Sequence, residues 1–528
     1  MIDLPLAPGP GARAADARPR GPDLLRLPWL RRFARWRYAR LAIQLPLLLL
    51  ALLIVVDGFT GRQLAPRNLA TATVWLHYRG LVVIALLAIG NLFCAACPLM
   101  LTRGPARYLK GLLGPDLRWP RALRSKWLVV ALLLAFFYAY EALDLWASPW
   151  LTAWLVVGYF VAALAVDVLF PAGTFCRYVC PLGNFNFAIA AVSPTQIATV
   201  DPAVCDRCEH KPCLHGRITD TPEREGRWRD AAGALRGAVD GPRRAAFVPL
   251  AEVIAPNGVG RFPGCETGLF VPAITSTMDC TLCLNCVRAC PYDNVALRLR
   301  PPWFEVVRDG WRHRGGRSVL AMGVALAWWG MLNAFAMVPP FFAAADAVAA
   351  ALGTRSEALV LAVLFAGVTL AGIAATLAAA ALADRAGGAR SGGRSGLGAA
   401  FDRWSIVVVI LGVGFWAAHY LFHFLTGAAS IVPVFEHFFA FRGFAVDPNW
   451  RLAQLVPTRW LFPIGAALVT AATALALATT ARIALRDFGR RGALAMWPIG
   501  VFVLAVAALQ VLVLGLPMEM RGTLLGPL

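Results

Sequence analysis

The stretch from Cys280 to Pro291 reads C-T-L-C-L-N-C-V-R-A-C-P. Its spacing, Cys280-x2-Cys283-x2-Cys286-x3-Cys290-Pro291, is the bacterial ferredoxin run that holds iron–sulfur cubanes. Three thiolates on a tight loop can reach three iron corners of one cube. The fourth, past a short turn, ordinarily serves the other cluster of a two-cluster protein. Proline after the last cysteine stops a continuing helix and removes a backbone donor. Structural zinc is the competing use of clustered thiols, but zinc prefers two separated pairs of ligands.

Upstream lies Cys205-x2-Cys208-x4-Cys213, with two more residues before its third cysteine than the plain ferredoxin pattern has. Cys265 follows, in FPGCETGLF, after an insert over 214–264. Eight thiols suffice for two cubanes. In the usual crossed wiring, Cys205, Cys208, Cys213 and Cys290 hold one cluster, and Cys265, Cys280, Cys283 and Cys286 hold the other. A local arrangement instead keeps Cys280, Cys283, Cys286 and Cys290 on one cube and places Cys265 with the upstream three. The plainer reading of Cys265 is a spare buried thiol. Two further pairs, Cys94-x2-Cys97-Pro98 and Cys176-x3-Cys180-Pro181, end apolar runs. Together they could hold a third cubane; apart, they are redox-active or structural pairs. The expected cofactors are two 4Fe-4S clusters, with room for a third.

The elements that must position these thiols lie in a bilayer. Hydrophobic residues make up 59% of the chain and charged residues 15%, and long apolar runs recur. The formal charge of +20 is mainly arginine in the loops between apolar runs, where the positive-inside rule puts it, so nucleic acid is not an expected partner. Residues 1–25 have no hydrophobic core before a small-residue cleavage site and read as a disordered cytosolic leader. Arg26, Arg31, Arg32, Arg35, Arg37 and Arg40, with Trp29 and Trp36, read as a basic, aromatic anchor at the membrane surface.

Apolar spans are expected at about 41–58, 80–97, 127–147 and 150–170, and again at about 318–340, 357–383, 404–425, 460–481 and 496–516. The fold expected is an all-α polytopic membrane protein of about nine transmembrane helices with an inserted ferredoxin-like double-cubane domain. The domains are then the leader, a four-helix segment over 26–170, the cytosolic iron–sulfur domain over 171–317 and a five-helix segment over 318–528. The basic segments at 103–126, 384–403 and 482–492 fall on one side. That side is the cytosol if the N-terminus is cytosolic, which places the C-terminus outside a bacterial inner membrane. All twelve cysteines fall in small groups, which facing a reducing compartment favours cofactor ligation over a disulfide scaffold.

Two membrane-edge Cys-Pro motifs followed by a double-cubane segment resemble the polyferredoxin membrane proteins. That group includes the quinol-dehydrogenase subunit of periplasmic nitrate reductase systems, the nitrous-oxide-reductase regulatory protein and the ferredoxin-like accessory protein of oxidase assembly. The resemblance covers about 70–317 and leaves the last five spans unmatched. It implies an integral membrane electron carrier with cytosolic clusters. The chain has no recognisable periplasmic flavin-binding domain, so the regulatory protein's role does not carry over whole.

His419 and His423 sit four apart and share a helix face. With His77, His437, Met518 and Met520 they fall towards the outer side, where imidazole and thioether suit copper or haem iron. Two histidines on one helix cannot take opposite faces of one haem. The plainer reading is interfacial polar residues at the end of a bundle. His210, His215 and His313 fall in the cytosolic segment. His77, Arg79, Glu141 and Asp144 could instead line an outer quinol site, because quinol oxidation needs proton acceptors beside an apolar slot.

The function expected is single-electron transfer between a membrane donor, the quinol pool, and a redox partner protein. The alternative is a metal-reducing factor that prepares copper for assembly of a respiratory enzyme. The blandest option is a membrane scaffold with structural clusters.

Overall fold

The computed structural model describes residues 19, 21–36, 38–113, 117–219, 260–307, 311, 316–388, 396–452, 454 and 456–518. Arg37, His313, Met520, most of the leader and most of the 214–264 insert lie outside the described residues. Helix dominates, and the described strands form two short antiparallel pairs.

Seven stretches are long and apolar enough to cross a bilayer: Ala39–Thr60, Leu69–Ala88, Pro149–Leu169, Arg317–Phe335, Glu357–Gly387, Leu397–Ala440 and Thr458–Gly515. The protein is therefore read as membrane-spanning. The nine expected spans correspond to these seven only with two additions. Trp127–Ala142 has 16 residues, short for a full crossing. Thr458–Gly515 contains two helices, Leu461–Phe488 and Gly492–Gly515, joined by the turn Gly489–Arg491, and so has room for two passes.

The second span is displaced from its expected place. It begins at Leu69, where the Asn68 side chain caps the helix by accepting from Ala70 N at 2.9 Å. Asn68 in turn donates to the Asp57 carbonyl at 2.9 Å. Thr71, Thr73, His77 and Arg79 kept the first half of this helix from reading as a span, yet all four are buried. The helix stops at Ala88 because Gly90 takes a φ of +131°, a conformation that side chains disfavour. A separate short helix, Leu92–Ala96, then carries Cys94.

The chain divides into two compact units. The first comprises Met1–Leu50, Ile84–Pro120 and Tyr159–Gly310. Within it, Thr195–Thr199 pairs antiparallel with Val295–Leu299, with Ile197 opposite Leu297. Both leucine-class residues are buried in a core that also takes in Leu25, Val271, Ile274, Val287, Cys213 and Cys286. The end of the expected leader lies along this strand: Asp23 accepts from Leu297 N at 3.1 Å, and Leu299 N donates to Pro22 O at 2.9 Å.

The second unit comprises Ala51–Val83, Arg121–Gly158 and Trp311–Leu528. Arg317–Phe335 and Leu397–Gly427 are almost wholly buried at its centre, and Leu461–Phe488 packs against the latter. Small residues let these helices approach, as expected where lipid supplies no hydrophobic drive between them. A Cβ on Gly412 would come within 2.6 Å of the Ala327 backbone, and one on Gly372 within 2.3 Å of the Trp328 ring.

One buried ion pair ties the first unit together. The side chains of Arg300 and Glu305 are fully buried and 2.9 Å apart. Arg300 also donates to the carbonyls of Ala190, Ala191 and Ser193 and to Gln196 Oε1. Glu305 accepts from Ser276 Oγ, Thr277 N and Thr277 Oγ1. Arg300→Leu leaves Glu305 as an uncompensated buried charge and should cost about 3–5 kcal/mol. Chemical denaturation in detergent measures it, and a loss under about 1 kcal/mol would remove this pair from the account of the fold.

Candidate metal centre

The twelve cysteines are all free thiols. In the first unit, Cys213 interacts electrostatically with Cys290, Cys205 and Cys208, and Cys205 with Cys290 and Cys208. The strongest such partners of Cys286 are Cys283, Cys265 and Cys280, and Cys283 also interacts with Cys265. At the Cys-Pro motifs, Cys94 interacts with Cys97 and Cys180, and Cys176 with Cys180 and Cys97. The thiols thus neighbour one another as 205/208/213/290, 265/280/283/286 and 94/97/176/180.

Local backbone explains the placement. Leu282 and Leu284, between the cysteines of the run, adopt left-handed conformations with φ of 54° and 58°. For branched residues these are uncommon values, and they curl the loop tightly. Asn285–Ala289 then forms a single turn of helix ending at Cys290. Each Cys-Pro motif starts a helix, with proline at its first position, where the missing N–H would have no partner. Cys180 caps Pro181–Ile189, its Sγ accepting from Gly183 N at 3.2 Å.

Other donors face the sulfurs. Leu269 N reaches Cys265 Sγ at 3.2 Å, Asn294 N reaches Cys290 Sγ at 3.4 Å, and Asn294 Nδ2 reaches Cys205 Sγ at 3.2 Å. Cations surround the same region. Glu266 is paired with Arg40 and, at 2.8 Å, with Arg103. Burial would raise the Glu266 carboxyl, but Arg103 and Arg40 outweigh it and hold it below the usual carboxylate range. Arg31 and Arg35 pair with Asp293, three residues past Cys290. Arg31, Arg35 and Arg40 were expected at a membrane surface. Their partners Asp293 and Glu266 each stand beside a cysteine, which is the sequence signal for this second role.

The donor set suits a polynuclear thiolate-bound group. A cube with four thiolates is anionic, and the arginines and N–H donors supply complementary charge. Among the described residues no three His, Cys, Asp or Glu side chains converge closely enough for a single metal ion.

The histidines are dispersed. His210 and His215 are exposed. His77 is held by two backbone carbonyls, Ala72 O at 2.8 Å and Ala428 O at 3.2 Å. His437 meets Trp450 edge-on, with ring centroids 5.7 Å apart. His419 and His423 adjoin each other, 4.7 Å between ring centroids. Arg79 lies in their field, and its charge opposes a copper or haem cation there. Of the four residues expected around a quinol, Arg79 and Glu141 interact with each other.

Comparison with known proteins finds no matching family model, no similar curated protein and no similar solved structure.

Burial pushes the thiols of Cys205 and Cys213 up to about 12, from an ordinary 9.0. It pushes Cys180 to about 12 and Cys97 to about 11. The metal-free folded chain therefore keeps protons that its unfolded form releases. Stability from this source is full below the ordinary thiol value and is lost as pH rises towards the folded values. Metal-free protein should melt at a lower temperature at about pH 10 than at about pH 7. Equal melting temperatures would refute the burial of these thiols.

Proposed function

We propose that the protein is an iron–sulfur electron carrier of the polyferredoxin kind in a bacterial inner membrane, linking the quinol pool to a redox partner protein. The observation that supports it is the segregation of twelve free thiols into three neighbouring fours. Four-iron clusters supply one-electron exchange when bound. Cys205, Cys208, Cys213 and Cys290 would hold one, and Cys265, Cys280, Cys283 and Cys286 another. Cys94, Cys97, Cys176 and Cys180 would hold a third. The chain's own residues fix the thiolates, aim N–H groups at the sulfurs and offset negative charge with Arg40, Arg103 and Arg288. No bond-making side chain is required.

Anaerobic purification followed by iron and sulfide analysis should find two or three cubanes, with electron paramagnetic resonance signals after dithionite. Zinc in place of iron, with no such signal, would end the proposal. The wiring is tested by Cys213→Ser and Cys265→Ser, since a hydroxyl ionises far less readily than a thiol. Each should damage a different cluster and spare the other. If the double variant leaves one of the two clusters expected over 205–290 intact, the crossed assignment is wrong.

The proposed orientation places the thiol-bearing first unit in the cytosol. Reporter fusions in the 384–403 linker and at the C-terminus should then report opposite sides. The same side for both would mean an even number of crossings between them.

A further inference from the structure

Arg79 lies inside the bundle of the second unit, midway along Leu69–Ala88. Its guanidinium faces the rings of Trp75, Tyr140 and Tyr420, at 4.9, 4.5 and 5.1 Å from their centroids. It donates to Tyr140 Oη at 3.1 Å. Glu141 also lies in its field. Glu141 Oε1 accepts from Asn333 Nδ2 at 3.0 Å, which leaves the buried Asn333 Oδ1 without a partner.

His419, on Leu397–Gly427, lies in the field of Arg79, with its ring centroid 5.9 Å from that of Tyr420, which Arg79 also faces. It has no solvent exposure, and neither ring nitrogen has a hydrogen-bond partner. One face of its ring stacks on Phe415, and its neighbour His423 is only half-buried. An imidazole with two unpaired nitrogens and an amide with an unpaired oxygen are costly inside a protein, more so in a bilayer. Such groups mark intramembrane functional sites by default.

The chemistry of the missing partner follows from its neighbours. Arg79 excludes a cation. The free groups are both donors and acceptors: the guanidinium and one imidazole N–H donate, while the other imidazole nitrogen and Asn333 Oδ1 accept. The rings of Trp75, Tyr140 and Tyr420 around the guanidinium are aromatic and suit a flat ring. A lipid-soluble ring bearing oxygens that accept in one redox form and donate in the other meets all of these demands. We propose that Arg79, Tyr140, Asn333, His419 and His423 form a binding site for a quinone or quinol headgroup. The choice of ligand rests on the electron-carrier reading above, whereas the site rests on the unpaired groups.

The test uses full-length protein in detergent and a short-chain ubiquinone as probe. Binding is read by quenching of tryptophan fluorescence, to which Trp75 contributes, and by quinone extracted per protein. His419→Leu should weaken binding by at least about tenfold while leaving the melting temperature unchanged or higher, because it removes two unpaired polar atoms. Should that variant fail to fold, the half-buried His423→Leu carries the same expectation. Wild-type affinity in the folded variant, or no quinone binding by the unaltered protein, overturns the site. Iron, sulfide and resonance measurements on the same samples separate the two proposals. Clusters without quinone binding overturn this site alone. Quinone binding without clusters overturns the carrier reading and leaves the site standing.

Discussion

The first unit depends on the buried contact between Arg300 and Glu305. It joins three pieces of chain that the sequence holds far apart: the end of the helix Pro181–Ile189 and its following turn, the loop at Ser276 and Thr277 that leads into Cys280, and the strand ending at Leu299. A buried pair of this kind contributes little net stability against an apolar replacement, but it is costly to break on one side. Its value here is positional. The groups that Glu305 accepts from, Ser276 and Thr277, fix where the chain enters the cysteine run, which its left-handed leucines then curl. The thiols themselves sit in the core, with Cys213 and Cys286 among the buried apolar residues and Cys265, Cys280 and Cys290 packed against them. A core built partly from thiols would couple folding to any group those thiols bind.

Much of the thiol arrangement was legible in the sequence, because short spacings fix local geometry. Cys280, Cys283 and Cys286 can only lie on one tight loop, and proline after Cys97 and Cys180 suits the first position of a helix. The neighbours of Cys265 were not decidable that way. Its N–H is tied to the Cys213 carbonyl at 3.0 Å, while its thiol interacts with Cys283 and Cys286. Chain distance favours the second association, and only tertiary packing supplies the first. The partners of Arg31, Arg35 and Arg40 were not legible for a related reason. A run of arginine and tryptophan beside an apolar span has the composition of a membrane anchor, and nothing local announces that Asp293 or Glu266 will fold back onto it.

The span at Leu69–Ala88 shows the converse failure. Hydropathy treats Thr71, Thr73, His77 and Arg79 as evidence against a membrane helix. They are buried in the protein interior, where Thr71 donates to the Ala65 carbonyl and His77 meets two carbonyls. Elsewhere in the second unit the same requirement is met by tryptophan. Trp328, Trp329 and Trp416 each bury an indole ring, and their N–H groups donate to Thr376, Thr369 and the Leu326 carbonyl. Apolar bulk and a satisfied donor in one side chain suit helix contacts in lipid.

Two of the arginines buried among the described residues make an instructive pair. Arg300 donates to a carboxylate, an amide and three carbonyls, so its charge and its N–H groups are met by the fold itself. Arg79 has one phenol oxygen and three ring faces. Ring faces attract a cation but accept few hydrogen bonds, so most of the planar fork stays available. A chain that needed only to neutralise or satisfy Arg79 would place it as it places Arg300. Beside it, His419 holds two unbonded nitrogens and Asn333 an unbonded oxygen. Buried donors and acceptors that the fold leaves unmet within one bundle describe a fold complementary to something other than itself.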